Sequence, residues 1–300
     1  MSNTLIGDVS DTAYWIAHLR SVETQRPDAL FRDPLAGLLA GDRGKDIANS
    51  MPRPYATGWA IVMRTCIIDD FIRQAIREGV DLVLNLGAGL DTRPYRMDLP
   101  ASLTWIEADY PHVIEYKQQR LSGEKPRCHL TRAKCDLADD TARRRLLADA
   151  NARGKKLLVL TEGVVPYLSN EEASSLACDL RKLDQVRYWL VDYFSPELLK
   201  LRERRIGDRM QNAPFKFAPS DWFGFFEERG WRLKETRYLT DEAHRLGRRI
   251  ELPVLVTIVT KVRQMFMPKG RRETFRKFAG YIMLEADVPT ARVFDVKTAS

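Results

Sequence analysis

Apolar residues recur along the middle of the chain in short runs, and polar segments with a helical pattern separate these runs. Short apolar runs bounded by turn residues predict buried strands, and they cover residues 82–86, 103–108, 129–134, 156–161 and 186–194. Helices are predicted after Asp91 and over residues 111–121, 140–152 and 170–183. Strands that alternate with helices in this way form βαβ units around a parallel sheet, which binds ligands at the carboxyl ends of its strands.

The N-terminal part of the chain has a helical pattern and no predicted strand. Prolines at positions 52 and 54 interrupt this pattern. A long amphipathic helix over about residues 59–78 follows, because isoleucines recur there at spacings typical of one helix face. We therefore expect residues 1–58 to form a helical cap on a core of residues 59–262.

After residue 194 the alternation of strands and helices stops. A helix near 220–229 precedes a strand at 231–238, and a long apolar run, "ELPVLVTIVTKV", follows at 251–262. Two strands joined by only a loop must pair antiparallel, since a parallel return needs a crossover. The sequence therefore predicts a mostly parallel sheet that ends in a C-terminal antiparallel hairpin.

Charge is concentrated at the end of the chain. The 300 residues carry a net charge of +7, and residues 261–300 contribute nine Lys and Arg against four Asp and Glu. A nucleic-acid-binding protein would carry its basic residues on a face of the core. We therefore interpret residues 263–300 as a basic C-terminal extension, and the charge pattern does not favour a nucleic-acid partner.

Cysteine usage and hydropathy predict where the protein works. The four cysteines contain no CxxC pair, and so few thiols in a chain of this length do not indicate a disulfide scaffold or a metal site. The first residues lack a basic segment followed by an apolar one, and no apolar run has the length of a membrane helix. We expect a cytoplasmic protein with no membrane partner.

The stretch "LVLNLGAGLDTRPYR" has the pattern of a buried strand that ends in a ligand-binding turn. Gly87 and Gly89 permit close approach of a ligand, but Thr92 stands where the dinucleotide fingerprint needs a third glycine. Asp91 would repel a pyrophosphate at the start of the next helix. A ligand without phosphates, such as S-adenosylmethionine, suits this turn better, although Asp91 is equally compatible with a simple helix N-cap.

An acidic residue ends the second strand, in "IEADYP". Asp109 lies 20 residues after Gly89, which is the spacing at which a carboxylate accepts the hydroxyls of a bound ribose. Glu107 is the alternative, because side chains two residues apart on a strand point to the same face. Asp109 is nearer the strand tip, so we predict that it is the ribose ligand.

Three motifs together identify a family resemblance. They are "LNLGAGLDTRPYR", "IEADYPHVIEYKQQRL" and "TEGVVPYLSNEEA", and the opening "DTAYWIAHLRSVETQRPDALFRDPLAG" supports them. From about residue 11 to residue 262 the chain resembles the leucine carboxyl methyltransferase family, in particular its bacterial branch, which includes polyketide O-methyltransferases. The resemblance and the hairpin both imply an α/β fold of the class I methyltransferase (Rossmann-like) type with an N-terminal helical cap.

The resemblance implies S-adenosylmethionine as cofactor and assigns roles to matched positions. Arg64 would meet the methionyl carboxylate, for which a guanidinium offers a bidentate match. Gly87 and Gly89 would form the floor, and Asp109 would hold the ribose. Glu162 would line the donor site, since an unpaired acid after an apolar strand would be costly to bury.

Asp136 and Leu137, in "AKCDLADD", match the pair that frames the adenine. Asp136 could also be an ordinary helix cap, and Arg64 could be a surface residue of an amphipathic helix.

The sequence provides no clear catalytic base. Methyl transfer from a sulfonium is an in-line displacement in which the protein mainly positions the acceptor. Only a hydroxyl acceptor needs deprotonation, whereas a carboxylate does not. Tyr167, Tyr193 and His112 are weak candidates for residues beside the acceptor, because each lies at or shortly after the end of a predicted strand.

These patterns favour an S-adenosylmethionine-dependent O-methyltransferase that acts on a carboxylate or hydroxyl of a small molecule, such as a polyketide. Methylation of a protein C-terminal carboxylate is the alternative within the family. A nucleic-acid methyltransferase or binder, or a protein that binds the cofactor without catalysis, is the alternative from another class.

Overall fold

Seven strands form one sheet in the computed structural model, which describes residues 6–51, 54–206, 210–250 and 268–287. The strands are β1 Leu82–Leu86, β2 Thr104–Asp109, β3 His129–Lys134, β4 Leu157–Thr161, β5 Val186–Phe194, β6 Trp231–Tyr238 and β7 Ala279–Ala286. Their order across the sheet is β3-β2-β1-β4-β5-β7-β6. Strands β1 to β5 are parallel, so the predicted parallel sheet is confirmed.

Strands β2 and β3 lie on one side of β1, and after β3 the chain crosses to the other side of β1 to form β4. β1 pairs with β2 on one side and with β4 on the other, and every residue of β1 and β4 is buried. The helices that follow β1 and β4 therefore lie on opposite sides of this point, and a crevice opens outside the strand ends. Ligands bind in such crevices in open α/β sheets.

The sheet ends in antiparallel strands, as predicted, and one of them lies where the sequence predicted no strand. β7 lies between β5 and β6 and pairs antiparallel with both. Its residues, "AGYIMLEA", fall in the predicted basic extension 263–300, so the sheet continues beyond residue 262. The predicted strand over residues 251–262 lies outside the described residues.

Close packing explains why this particular run fills the position. All eight residues of β7 are buried, as a strand with neighbours on both sides requires. A Cβ atom on Gly280 would lie 2.5 Å from the backbone oxygen of Arg237, so glycine allows β6 to approach. Pattern alone predicts that late strands pair antiparallel, but it did not identify residues 279–286 as one of these strands.

Helices cover both faces of the sheet. They are α1 Asp11–Thr24, α2 Ala36–Ser50, α3 Pro54–Arg77, α4 Arg93–Arg96, α5 Pro111–Arg120, α6 Asp140–Arg153, α7 Asn170–Arg181, α8 Pro196–Ile206, α9 Trp222–Glu227, α10 Leu239–Arg245 and α11 Lys269–Arg276. One apolar core packs α6, α7 and α9 against the sheet, and a second packs α3 and α10 against it. The predicted helix after Asp91 is a single turn, α4.

The N-terminal helices α1 and α2 pack against each other and over the strand ends. Arg20 of α1 donates hydrogen bonds to the backbone oxygen of Leu90, at 2.6 Å, and to Asp33 Oδ2, at 2.8 Å. The bond to Leu90 connects α1 to the turn that follows β1. The predicted N-terminal helical region is confirmed, and it adjoins the crevice.

Candidate functional site

A cavity of about 670 Å³ lies at the carboxyl ends of the parallel strands. Its walls come from the turns after β1 and β4, from the tip of β2, and from helices α1, α3 and α8. It brings together seven of the residues that the sequence singles out, namely Arg64, Gly87, Gly89, Asp109, Leu137, Glu162 and Tyr167. The volume is in the usual range for small-ligand sites, roughly 300–1,000 Å³.

The glycine turn after β1 depends on glycine at both positions. Gly87 has φ = +67° and Gly89 has φ = +46°, a region that L side chains rarely adopt. A Cβ atom on Gly87 would lie 2.3 Å from Val164 Cγ2, and one on Gly89 would lie 3.2 Å from Ala13 Cβ. The two glycines therefore let the β4 turn and α1 close on this part of the cavity.

Asp109 faces the cavity beside this turn. Its Oδ2 accepts a hydrogen bond from the backbone N–H of Gly89 at 2.6 Å, and its Oδ1 accepts one from Tyr110 at 2.7 Å. Burial raises the pKa of Asp109, and these two hydrogen bonds oppose that rise. Each carboxylate oxygen has acceptor capacity left, so the fixed carboxylate can accept two adjacent hydroxyls.

Glu107, the alternative to Asp109, belongs to a separate structural cluster. It is fully buried, and its carboxylate accepts hydrogen bonds from Lys117 Nζ at 2.8 Å and from Arg132 Nε at 2.9 Å. It is not among the residues that line the cavity. The geometry therefore favours Asp109 as the residue that meets a ligand.

A buried ionic network adjoins the glycine turn. Arg64 donates from Nε to Glu162 Oε1, and Arg93 donates from Nη1 to Glu162 Oε2 at 2.6 Å. Arg93 also pairs with Asp69, at 2.7 Å, and with Asp91, at 2.9 Å. Burial raises the pKa of Glu162, but the two arginines outweigh it and hold this pKa below its usual range.

This network presents opposite charges side by side to the cavity. Arg64 and Glu162 both line it, and Gly163 leaves room beside the guanidinium, since a Cβ there would lie 3.3 Å from Arg64 Nη2. Carboxylates form bidentate pairs with guanidinium groups, and ammonium groups donate to carboxylates. The wall therefore fits the two charged groups of an amino acid.

Sequence reasoning missed two buried residues that complete this network, Arg93, which pairs with Glu162, and Asp69, which pairs with Arg93. Asp69 lies on α3 between the apolar residues of its buried face, and Arg93 follows the glycine turn directly. A charged residue inside an apolar stripe was the available signal for Asp69. Asp91 accepts a hydrogen bond from the Arg93 backbone N–H at 3.0 Å and pairs with the side chain of Arg93, but Thr92 is the N-cap of α4, so Asp91 belongs to the ionic network.

A second buried acid lies beside this wall. Asp192 of β5 accepts a hydrogen bond from the backbone N–H of Gly163 at 2.8 Å, and burial raises the pKa of its carboxyl to about 6. It stands opposite Tyr281 of β7, which lines the cavity. An acid within the apolar run of β5 was a signal for Asp192, whereas Tyr281 lay in the predicted extension.

The remaining wall is largely aromatic and apolar. The edge of Tyr167 contacts the ring of Phe215, with centroids 5.0 Å apart, and Phe215 stacks on Phe194 at 5.4 Å. Leu198 of α8 lines the same part of the cavity. This wall suits an apolar molecule with flat groups.

Three of the predicted site residues do not line the cavity. Asp136 is exposed and accepts a hydrogen bond from the Ala138 backbone N–H at 2.9 Å, while Asp139 instead caps α6. Tyr193 packs on Trp222 at 5.3 Å, in the core under α9.

His112 is exposed, and its Nε2 lies 3.1 Å from Ser10 Oγ. The family resemblance placed Asp136 in the site, whereas Tyr193 and His112 were placed by their distance from strand ends. Their directions depend on packing that the sequence does not display.

Two features are absent from the described part of the chain. Within it, no group of three or more His, Cys, Asp or Glu side chains could hold a metal ion. No described helix combines the length and the apolar character that crossing a membrane requires.

Comparison with known sequences identifies relatives. The profile of the family described as "Leucine carboxyl methyltransferase" matches residues 13–180, more than half of the chain. A protein of Mycobacteroides abscessus is 29% identical over 280 residues, which cover 81% of this chain and 90% of that protein. A protein of Parafrankia sp. is 32% identical over 278 residues, with 85% and 87% covered. Each is named "Putative S-adenosyl-L-methionine-dependent methyltransferase".

Comparison with solved structures identifies the fold. A putative methyltransferase from Thermobifida fusca superposes with a TM-score of 0.56 at 13% identity, over 95% of this chain and 97% of that one. A DUF574 family protein from Streptomyces avermitilis superposes with a TM-score of 0.52 at 15% identity, over 91% and 97%. Together with the strand order, these likenesses confirm the class I methyltransferase fold.

Proposed function

The chain belongs to the leucine carboxyl methyltransferase family and is an S-adenosylmethionine-dependent methyltransferase, and from that premise we propose that it methylates an oxygen of a small apolar molecule. The observation that carries this proposal is the aromatic and apolar wall of Tyr167, Phe194 and Phe215 in the same cavity as the charged wall of Arg64 and Glu162. One cavity thus offers a place for the donor and a place for an apolar acceptor.

The residues of the cavity fit the donor group by group. Arg64 would bind the methionyl carboxylate, Glu162 would accept from the ammonium, and Asp109 would accept from the ribose hydroxyls. Leu137 would contact the adenine, and the glycine turn would support the donor between them. The bound donor supplies an electrophilic methyl group on a sulfonium.

The chain positions the acceptor and excludes water from the reaction. Helix α1 lies over the glycine turn, where Ala13 and Leu90 both line the cavity. In-line displacement requires the acceptor oxygen, the methyl carbon and the sulfur to be held in a row, which an enclosed cavity achieves. A carboxylate acceptor needs no base at neutral pH. Tyr167 remains a candidate for orienting the acceptor, because it lines the cavity.

Methylation of a protein C-terminal carboxylate is the second candidate. The family description supports it directly. A C-terminal peptide would have to enter the cavity as an extended chain. The two candidates therefore differ in whether the cavity accepts a free small molecule or the end of a long chain.

Calorimetric titration with S-adenosylmethionine tests the donor site. We expect Asp109→Ala to weaken binding by about tenfold or more, since it removes acceptors from two hydroxyls. Glu115→Gln is the matched control, because Glu115 is an exposed carboxylate on α5 that pairs with Lys134, and we expect it to bind as the wild type does. Equal binding by the Asp109 and Glu115 variants would refute the ribose assignment.

A methylation screen then tests the acceptor class. Wild-type protein is incubated with labelled donor and two acceptor sets, namely aromatic carboxylic acids and phenols, and peptides that end in leucine. Methyl transfer to the first set alone supports the proposed function. Transfer to the peptides alone would replace it with the protein-directed alternative.

A further inference from the structure

One arginine of the cavity differs from all the others near it. Arg64 and Arg93 pair with the carboxylate of Glu162, and Arg20 pairs with Asp33. Arg202 of α8 also lines the cavity, but it makes no ion pair or hydrogen bond with another described residue. Among the described residues, no carboxylate therefore forms an ion pair with Arg202, whereas each of these neighbouring arginines has one.

The guanidinium of Arg202 is held in place by an aromatic ring. Its central carbon lies 3.5 Å from the centroid of the Phe215 ring, which is close contact for a cation–π interaction. Phe215 in turn stacks on Phe194. Stacking fixes the plane of the guanidinium and leaves its N–H groups at the edge of that plane, where a carboxylate could accept them in pairs.

The electrostatic surroundings of Arg202 favour an anion. Burial lowers the pKa of Arg202, whereas the carboxylate of Glu162 outweighs burial and raises the pKa of Arg64. A second cation, Lys216, lines the cavity from the segment that follows α8. Tyr167 and Glu203 oppose the effect of burial only in part. An arginine that forms no ion pair with a described carboxylate gains most from a ligand that supplies one.

We propose that Arg202 anchors a carboxylate of the methyl acceptor, whose flat unsaturated body packs against Phe215 and Tyr167. This inference rests on the proposed function, since it assigns the apolar end of the cavity to the acceptor. Tyr167 lies near both the acceptor end and the donor end of the cavity. Burial raises the pKa of its phenol, and the charges of Arg202 and Arg64 oppose that rise. The acceptor class is therefore an aromatic or conjugated carboxylic acid, and Arg202 determines the specificity for it.

The test measures the binding of a charged probe and its neutral counterpart. 2-Naphthoate and 2-naphthamide have the same flat body, and only the first carries a carboxylate. Calorimetric titrations are run on the full chain in the presence of saturating S-adenosylhomocysteine, which keeps the probes away from Arg64. We expect the wild type to bind 2-naphthoate about tenfold or more tightly than 2-naphthamide, as a charge-assisted pair implies.

Three variants assign this preference to one side chain. Arg202→Gln should reduce 2-naphthoate affinity to that of 2-naphthamide while leaving affinity for 2-naphthamide and for S-adenosylhomocysteine within about twofold of the wild type. Arg202→Lys should retain part of the preference, because the charge remains but the bidentate geometry is lost. Arg204→Gln removes an exposed arginine of the same helix and should behave as the wild type does.

The outcomes separate this inference from the proposed function. Failure of S-adenosylhomocysteine to bind the wild type would count against the donor site, and the probes are then compared without it by the same criterion. A wild type that does not prefer 2-naphthoate, or a preference that survives Arg202→Gln, would overturn the role of Arg202 even if the donor binds. An equal loss in the Arg204 variant would also overturn it, because the effect would then be one of general charge.

Discussion

Glu162 illustrates how single residues of the site depend on distant parts of the chain. Arg64 reaches it from α3, and Arg93 reaches it from the turn after β1. Taking these charges out of water is costly, and the cost is offset only when each has a partner. The paired network therefore holds Arg64 and Glu162 in fixed positions before any ligand arrives.

Asp192 gives a residue-scale prediction for the pH dependence of stability. Burial raises the pKa of its carboxyl to about 6 in the folded protein, whereas an unfolded chain has about 3.9. Between these values the folded state binds the additional proton. The contribution of Asp192 to stability is thus present at low pH and is lost as the pH rises through about 6, with a slope of at most about 1.4 kcal/mol per pH unit.

Asp192→Asn removes this titration and keeps an oxygen that can accept from Gly163. We expect the free energy of unfolding of the variant, measured by urea titration, to rise relative to the wild type between pH 4.5 and 6.5. Glu227→Gln, at an exposed carboxylate of α9, should give a constant difference. A constant difference for Asp192→Asn as well would contradict the prediction.

At the scale of elements, β7 is the strand of the described sheet that the sequence pattern did not predict. Both 251–262 and 279–286 are apolar and follow β6, and the rule for antiparallel pairing applies to either. Ala279–Ala286 pairs with two neighbouring strands, and this pairing also places Tyr281 in the cavity. The position of one strand therefore affects the composition of the site.

Gly280→Ala tests this strand assignment. The new Cβ would lie 2.5 Å from the backbone oxygen of Arg237 and would push β7 away from β6. We expect a loss of about 1–3 kcal/mol in the free energy of unfolding, as overpacking in a buried site produces. The measurement is equilibrium urea denaturation monitored by circular dichroism.

Gly270→Ala is the matched control, because a Cβ on Gly270 in α11 meets nothing within 4 Å. Alanine is a better helix former than glycine, so this variant should be as stable as the wild type or slightly more stable. If the two variants had equal stability, β7 would not be packed as described.

At the scale of the whole molecule, the cavity is lined by parts of the chain that lie in different layers of the fold. Helix α1, the strand ends and α8 all contribute to its walls. A ligand that contacts all of them binds the folded chain and not the unfolded one. Binding should therefore increase the stability of the entire molecule.

Thermal unfolding measures this effect. S-adenosylhomocysteine at about 100 times its dissociation constant should add about 2.7 kcal/mol to the free energy of unfolding, which corresponds to a rise in Tm of roughly several degrees in a chain of this size. NAD, whose pyrophosphate Asp91 would repel, should leave Tm unchanged. A rise with NAD that equals the rise with S-adenosylhomocysteine would contradict the ligand assignment.

The sequence by itself determined the local features of this protein. Alternating apolar runs and helices predicted β1 to β5, because periodicity reflects burial directly. The glycine turn, Asp109 and Glu162 were also found from the sequence, since each adjoins the end of a strand and strand ends meet at one edge of a parallel sheet.

Only the tertiary structure decided which side chains meet. It excluded Asp136, Tyr193 and His112 from the cavity wall, and it brought in Arg202 and Tyr281, which were not among the predicted site residues. The physical reason is that the direction of a side chain depends on packing between distant elements, whereas strand and helix patterns record only local burial.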